Sequence, residues 1–172
     1  MIDKLVIVRG GGDLATGTIH GLWSAGFKVL VLETENPAAI RRQVSVCEAV
    51  YTGETVVEGM KARLVSGVED VAPLLDEGIV PVMADPKGAA IEHFKPRVVV
   101  DAIIAKKNLG TSRDMAPVTI ALGPGFEAGA DVDYVVETKR GHDLGRIIRE
   151  GFAVKNSGIP GNIAGYSKER VM

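Results

Sequence analysis

Residues 5–8, Leu-Val-Ile-Val, form a short, continuous, β-branched apolar run of the kind that fills a strand buried on both faces. Glycines follow at once, in Arg9-Gly10-Gly11-Gly12-Asp13-Leu14-Ala15. Ala15, Ile19, Leu22 and Trp23 then recur at helical spacing, and Gly26 stands where a helix C-cap would close the segment. Residues 29–32 read as a second apolar strand, ending in Glu33.

Further along, the pattern predicts a short helix over 37–42 with a basic end at Arg41 and Arg42. Short strands and turns are expected over 49–65, at 50–51, 55–57 and 60–65, as a small β-rich insertion. Val68, Val71, Ala72 and Leu75 predict a helix ending at Gly78. Strands are expected at 79–83, 98–100, 119–122 and 132–138, with a helix around Ile147-Ile148. Alternating apolar runs and helices predict an α/β, Rossmann-like open and mostly parallel sheet, in a single domain over 1–172.

Strand, glycine turn, helix, strand and acid in that order match the dinucleotide-binding fingerprint, here Gly10-x-Gly12-x-x-Ala15 with Glu33 following 23 positions after Gly10. Gly10 allows the tight turn, Gly11 continues it, Gly12 lets backbone N–H groups approach a phosphate, and Ala15 lets helix and strand pack closely. Asp13 could cap the helix but would repel a phosphate placed very near. A Walker A loop is excluded, since Thr18 stands where its lysine belongs. The alternative is a glycine-rich corner that binds nothing.

In an open α/β sheet a ligand lies beyond the carboxyl ends of the strands. Those ends carry the glycine turn, Glu33, Asp85, Asp101 and the Gly123-Pro124-Gly125 loop, a set suited to the rim of a cleft. Any one of them could simply terminate a strand. The long polar connection after Asp101 bears Lys106, Lys107 and Arg113, which could hold phosphate with a hydrogen bond from Thr111. Arg140 and His142 occupy another glycine-bearing segment, and His142 is the candidate acid–base residue. Solvated loops or pairing with Asp101, Asp114 or Asp143 would explain these cations without a ligand. Asp131 and Asp133 read equally as a carboxylate pair or a solvated turn. Metal ligation by His142 with an Asp is conceivable, but the spacing supports no particular metal.

A net charge of −2 without a basic run argues against nucleic acid or anionic membrane as partner. The single cysteine, Cys47, excludes an intramolecular disulfide, and its apolar neighbours predict a buried, inert thiol. Residues 1–4 lead straight into a strand and no apolar stretch reaches membrane-spanning length, so the expected location is the cytoplasm.

The blocks Val8 to Gly17, Asp101 to Thr111, Gly123 to Phe126 and Glu137 to His142 together resemble the selenium-dependent molybdenum hydroxylase system proteins of the YqeB type. That resemblance implies a maturation factor for molybdenum hydroxylases such as xanthine dehydrogenase, distantly comparable to the XdhC accessory proteins with their nucleotide-binding fold. It also implies a β-rich module beyond the Tyr166 to Val171 stretch. It supplies no catalytic residues. The expected ligand is a dinucleotide or phosphate-bearing cofactor, with molybdopterin cytosine dinucleotide and NAD as candidates. Two other readings stay open: an NAD-dependent oxidoreductase, motivated by Glu33, and a non-catalytic scaffold docking on the hydroxylase. Homo-oligomerisation stays open too.

Overall fold

The structure is a computed structural model that describes residues 2–155. Its centre is β1 (Leu5–Arg9), whose five residues are all buried. It is joined through α1 (Asp13–Ser24) to β2 (Lys28–Glu33) at its side. The chain then forms α2 (Ala49–Thr52), the antiparallel pair β3 (Glu54–Val57) and β4 (Met60–Val65), α3 (Val71–Asp76) and β5 (Val80–Ala84). After α4 (Ala89–Phe94) come β6 (Val98–Asp101), β7 (Val118–Leu122), β8 (Glu127–Ala128), β9 (Tyr134–Val136), β10 (Ile147–Ile148) and β11 (Gly151–Phe152).

Nine strands make one sheet in the order β10-β9-β7-β6-β1-β2-β5-β4-β3, and β8 pairs with β11 apart from it. Seven consecutive members, from β9 to β4, run parallel. Only the margins β3 and β10 run antiparallel to their neighbours. β1 lies where the order reverses: the chain departs from it toward β2 and returns on its other side as β6.

Alternation along β1 divides the core into two layers. Val6 and Val8 pack with Ala15 and Ile19 of α1, and with Val46 and Ala49. Leu5 and Ile7 pack with Val71, Leu74 and Leu75 of α3 and Ile91 of α4. Ile7 and Leu30 are fully buried, and each such side chain contributes about 1.5–3 kcal/mol on leaving water. The two layers explain why strands such as β1 read as unbroken apolar runs.

Several expectations are corrected. Residues 37–41 form no helix, and only a 3-10 turn follows at Arg42–Val44. Val50 and Tyr51 lie in α2, not in a strand. The expected insertion is instead part of the main sheet, because β4 pairs in parallel with β5. Ile147-Ile148 is a strand: it pairs with Val135 and Val136, and that partnership overrides local helical preference. The strand expected over 132–138 shortens to Tyr134–Val136. The Tyr166 to Val171 stretch lies outside the described residues.

Candidate functional site

The turn between β1 and α1 is built by three glycines with three different tasks. Gly10 has φ +94°, and a Cβ there would lie 3.0 Å from the backbone N and Cα of Ile103, so the segment leaving β6 can approach only a glycine. A Cβ on Gly11 would meet the Cys47 nitrogen at 3.1 Å. Gly12 is the N-cap of α1, with ordinary extended backbone and open space where its Cβ would be. Gly10 and Gly11 therefore serve packing, and Gly12 alone leaves room for something else.

Hydrogen bonds fix this corner on every side. Gly10 N donates to Leu32 O at 2.7 Å, and Gly11 N donates to Glu33 Oε2 at 2.8 Å. The other oxygen of Glu33 accepts from Thr34 N at 2.8 Å. The buried hydroxyl of Thr16 donates to Gly12 O at 2.8 Å and accepts from Val46 N, while Cys47 N donates to Gly11 O. The backbone N–H groups of Gly12, Asp13 and Ala15 donate to no protein acceptor among the described residues. They are the unpaired donors of the first turn of a helix, where a partial positive charge also gathers.

Over this turn lies a cleft of about 760 Å³, bounded by the start of α1, Glu33, the 36–41 loop, Cys47 and residues 102–104. Its position is the crevice where the strand order reverses, the usual ligand position in open parallel sheets. Asp13 and Arg41 form an ion pair across it. Arg41 is the one cationic side chain lining the cleft among the described residues. Leu14, Ile40 and Ile103, on three separate segments, all expose apolar surface there, Ile40 to 99%. Ile104 adopts φ +57°, a conformation unusual for a β-branched residue that costs about 1–3 kcal/mol.

Cys47 is buried, and its thiol is pushed up to about 11 by burial, with Glu33 and Glu48 adding to the effect. It stays protonated at neutral pH and is a poor nucleophile.

The other sequence-predicted residues divide into those spent on structure and those left free. Asp85 accepts from Gly88 N at 2.9 Å and Ala90 N at 2.8 Å, closing the loop before α4. Asp101 is buried opposite Arg9 in the β1–β6 register. The Thr111 hydroxyl, expected to serve a phosphate, instead donates to Asp101 Oδ2 at 2.6 Å and accepts from Arg9 Nη1 at 2.5 Å. Burial raises the Asp101 carboxyl above its ordinary value, against the hydrogen bonds from Thr111 and the Ile103 N–H and the charge of Arg9. Arg113 pairs with Asp133 at 2.8 Å and donates to Gly129 O. Asp131 accepts the Glu127 N–H.

Gly125 has φ +113° and faces the Lys106-Lys107 backbone, where a Cβ would come within 2.5 Å of Lys107 N. A Cβ on Gly123 would meet Thr138 Oγ1 at 2.7 Å. Strand-end loops thus touch in sequence along one rim, from Gly10 past Ile103 and Lys106 to Gly125, Gly123 and Thr138. Lys106, Lys107, Arg140 and His142 are exposed along that rim and its continuation, and do not line the cleft beside the glycine turn. Among the described residues no group of three His, Cys, Asp or Glu side chains is arranged to hold a metal ion.

Arg41, Arg9 and Thr16 are the site-region residues that motif reading passes over. Arg9 carried a signal, since a cation closing an otherwise apolar buried strand needs a partner.

The chain is 52% identical over 169 residues to the uncharacterized protein YqeB of Escherichia coli strain K12, which covers 98% of this chain. It spans 31% of that protein's length. No family model and no solved structure matches it. No helix among the described residues is long and apolar enough to cross a membrane.

Proposed function

We propose that this chain is a Rossmann-like cofactor-binding accessory domain that takes a phosphate-bearing nucleotide in the cleft over Gly12. Its role is in the maturation of a selenium-dependent molybdenum hydroxylase of the xanthine dehydrogenase kind. The observation that carries the binding reading is Gly12 itself. It opens onto empty space at the start of a twelve-residue helix, beside three backbone N–H groups without protein acceptors among the described residues. An anion placed there meets both donors and the positive end of the helix. Asp13, whose charge argues against an anion, is paired with Arg41 in the free protein, and Arg41 adds a cation to the same cleft.

The maturation role rests on the sequence blocks that resemble the YqeB type. Molybdopterin cytosine dinucleotide is the favoured ligand within that role. An NAD-dependent oxidoreductase is the second reading, favoured by the position of Glu33 at the end of β2 and in the cleft wall. Both Glu33 oxygens already accept backbone N–H groups, so a ribose would have to share them.

Thermal-shift and calorimetric titration with NAD, NADP, CTP and molybdopterin cytosine dinucleotide tests the proposal. A response to the cytosine-bearing ligands that Gly12→Val abolishes supports it. A response to NAD alone moves the conclusion to the oxidoreductase, and flat responses to all four favour a scaffold that docks on the hydroxylase.

A further inference from the structure

Asp13 begins α1, and its Oδ1 accepts the N–H of Leu14 at 2.9 Å. Its other oxygen contacts the guanidinium of Arg41, on the loop that forms the opposite wall of the cleft. The carboxylate therefore occupies ground suited to a ligand anion and engages the one cation lining the cleft among the described residues. Such a residue is not a ligand contact in the ordinary sense. It is an anion belonging to the protein.

We propose that Asp13 is a resident competitor for Arg41, and that the ligand's phosphate takes the guanidinium from it on binding. The proposal rests on the reading of the cleft as an anion site. The Arg41 side chain is 66% exposed and that of Asp13 is 29% exposed, so their pair is weak and exchangeable. A phosphate offers the guanidinium two parallel acceptors and more charge than a carboxylate, and forms the stronger pair once the ligand covers it. A ligand bearing only a carboxylate gains nothing by the exchange, because it replaces Asp13 with its equal. Asp13 thus selects for pyrophosphate or terminal phosphate groups against singly charged acids. Arg41 is the positioning group that makes the selection.

The test is calorimetric titration of the full chain with inorganic pyrophosphate and with CTP, using Asp13→Asn, Asp13→Ser and Arg41→Gln, with folding checked by circular dichroism. Neutralising Asp13 should tighten pyrophosphate about two- to fivefold, the span of an exposed charge interaction. Arg41→Gln should weaken it about tenfold, as expected for one charge-assisted bond covered by the ligand. Binding by the parent protein with unchanged or weaker affinity in both Asp13 variants overturns the resident-competitor proposal and leaves the anion site standing. No binding of either probe by the parent or by the folded Asp13 variants overturns the anion site, and this inference with it.

Discussion

Glu33 Oε2 accepts the N–H of Gly11 at 2.8 Å, a bond that ties the end of β2 to the turn leaving β1. With Oε1 on the Thr34 N–H, the carboxylate braces the cleft before any ligand arrives. Glu33→Ala strands a part-buried donor and should cost about 1–3 kcal/mol in urea unfolding. Glu33→Gln, which keeps one acceptor, should cost less. If the ligand is NAD, the parent should prefer it to NADP by repelling a 2′-phosphate, and Glu33→Ala should narrow that gap in direct titrations.

The three glycines of the turn should separate cleanly under mutation. Gly12→Val meets no neighbour, so its unfolding free energy should stay within about 1 kcal/mol of the parent while nucleotide affinity is lost. Gly10→Ala forces a Cβ against the Ile103 backbone at positive φ and should cost about 2 kcal/mol or more. Chemical denaturation paired with calorimetry distinguishes the two.

Arg9 is the cation on which the buried end of β1 depends. It donates to Thr111 Oγ1 and Pro86 O, while Asp101 lies 4.0 Å away. Arg9→Ala leaves a buried carboxylate without its cation and should destabilise the fold by about 3 kcal/mol. Replacing Thr111 by Val removes only the bridging hydroxyl, and the expected loss is smaller. Equal and negligible shifts in the two unfolding midpoints would exclude a structural role for this network.

Acid sensitivity should come in part from Glu137. Burial raises its carboxyl, but the N–H groups of Val154, Lys139 and Thr138 outweigh that and hold it below the ordinary value. Its stabilising contribution is therefore present above the ordinary glutamate range and is lost as pH falls through the lower folded value. Asp133, held low in the same sense against burial by Thr119 and Arg113, acts likewise. A pH series of urea unfolding midpoints should show a flatter acid limb for Glu137→Gln than for the parent.

Ile40 offers a test of what the cleft prefers. Being 99% exposed, it contributes nothing to the core, and Ile40→Ser should leave the melting temperature unchanged. A ligand with a flat ring against it should bind the variant several-fold more weakly, whereas ribose 5-phosphate should not distinguish the two proteins. Calorimetry with CTP and ribose 5-phosphate reads the difference.

The first thirty-three residues were legible because every signal in them is local. A strand buried on both faces must be apolar throughout, and Gly10 must be glycine to carry its φ beside Ile103. Legibility failed where pairing partners decide. Ile147-Ile148 reads locally as the start of a helix but pairs with Val136 and Val135, 11 and 13 positions away respectively. The six-residue α4 went unseen because so short a segment has too few turns for a period to show. At the site, spacing could mark Gly12 and Glu33. It could not mark Arg41, whose place depends on the non-helical path of 34–41 back over the turn. Nor could it name the protein groups that engage Asp85, Asp101 and Arg113, although such engagement was one of the readings left open.

The position of β5 between β2 and β4 has a consequence for how the chain is made. A polypeptide emerging from the ribosome produces β2, then the β3–β4 hairpin, before the strand that must separate them exists. Until residues 80–84 emerge, β2 has one open edge and the hairpin has no parallel neighbour. The first half of the sheet therefore closes in a single late event, by insertion of a central strand rather than by addition at a margin. Nascent chains stalled before Val80 should be bound by chaperones, and those stalled beyond β6, when β1 is paired on both sides, should be released.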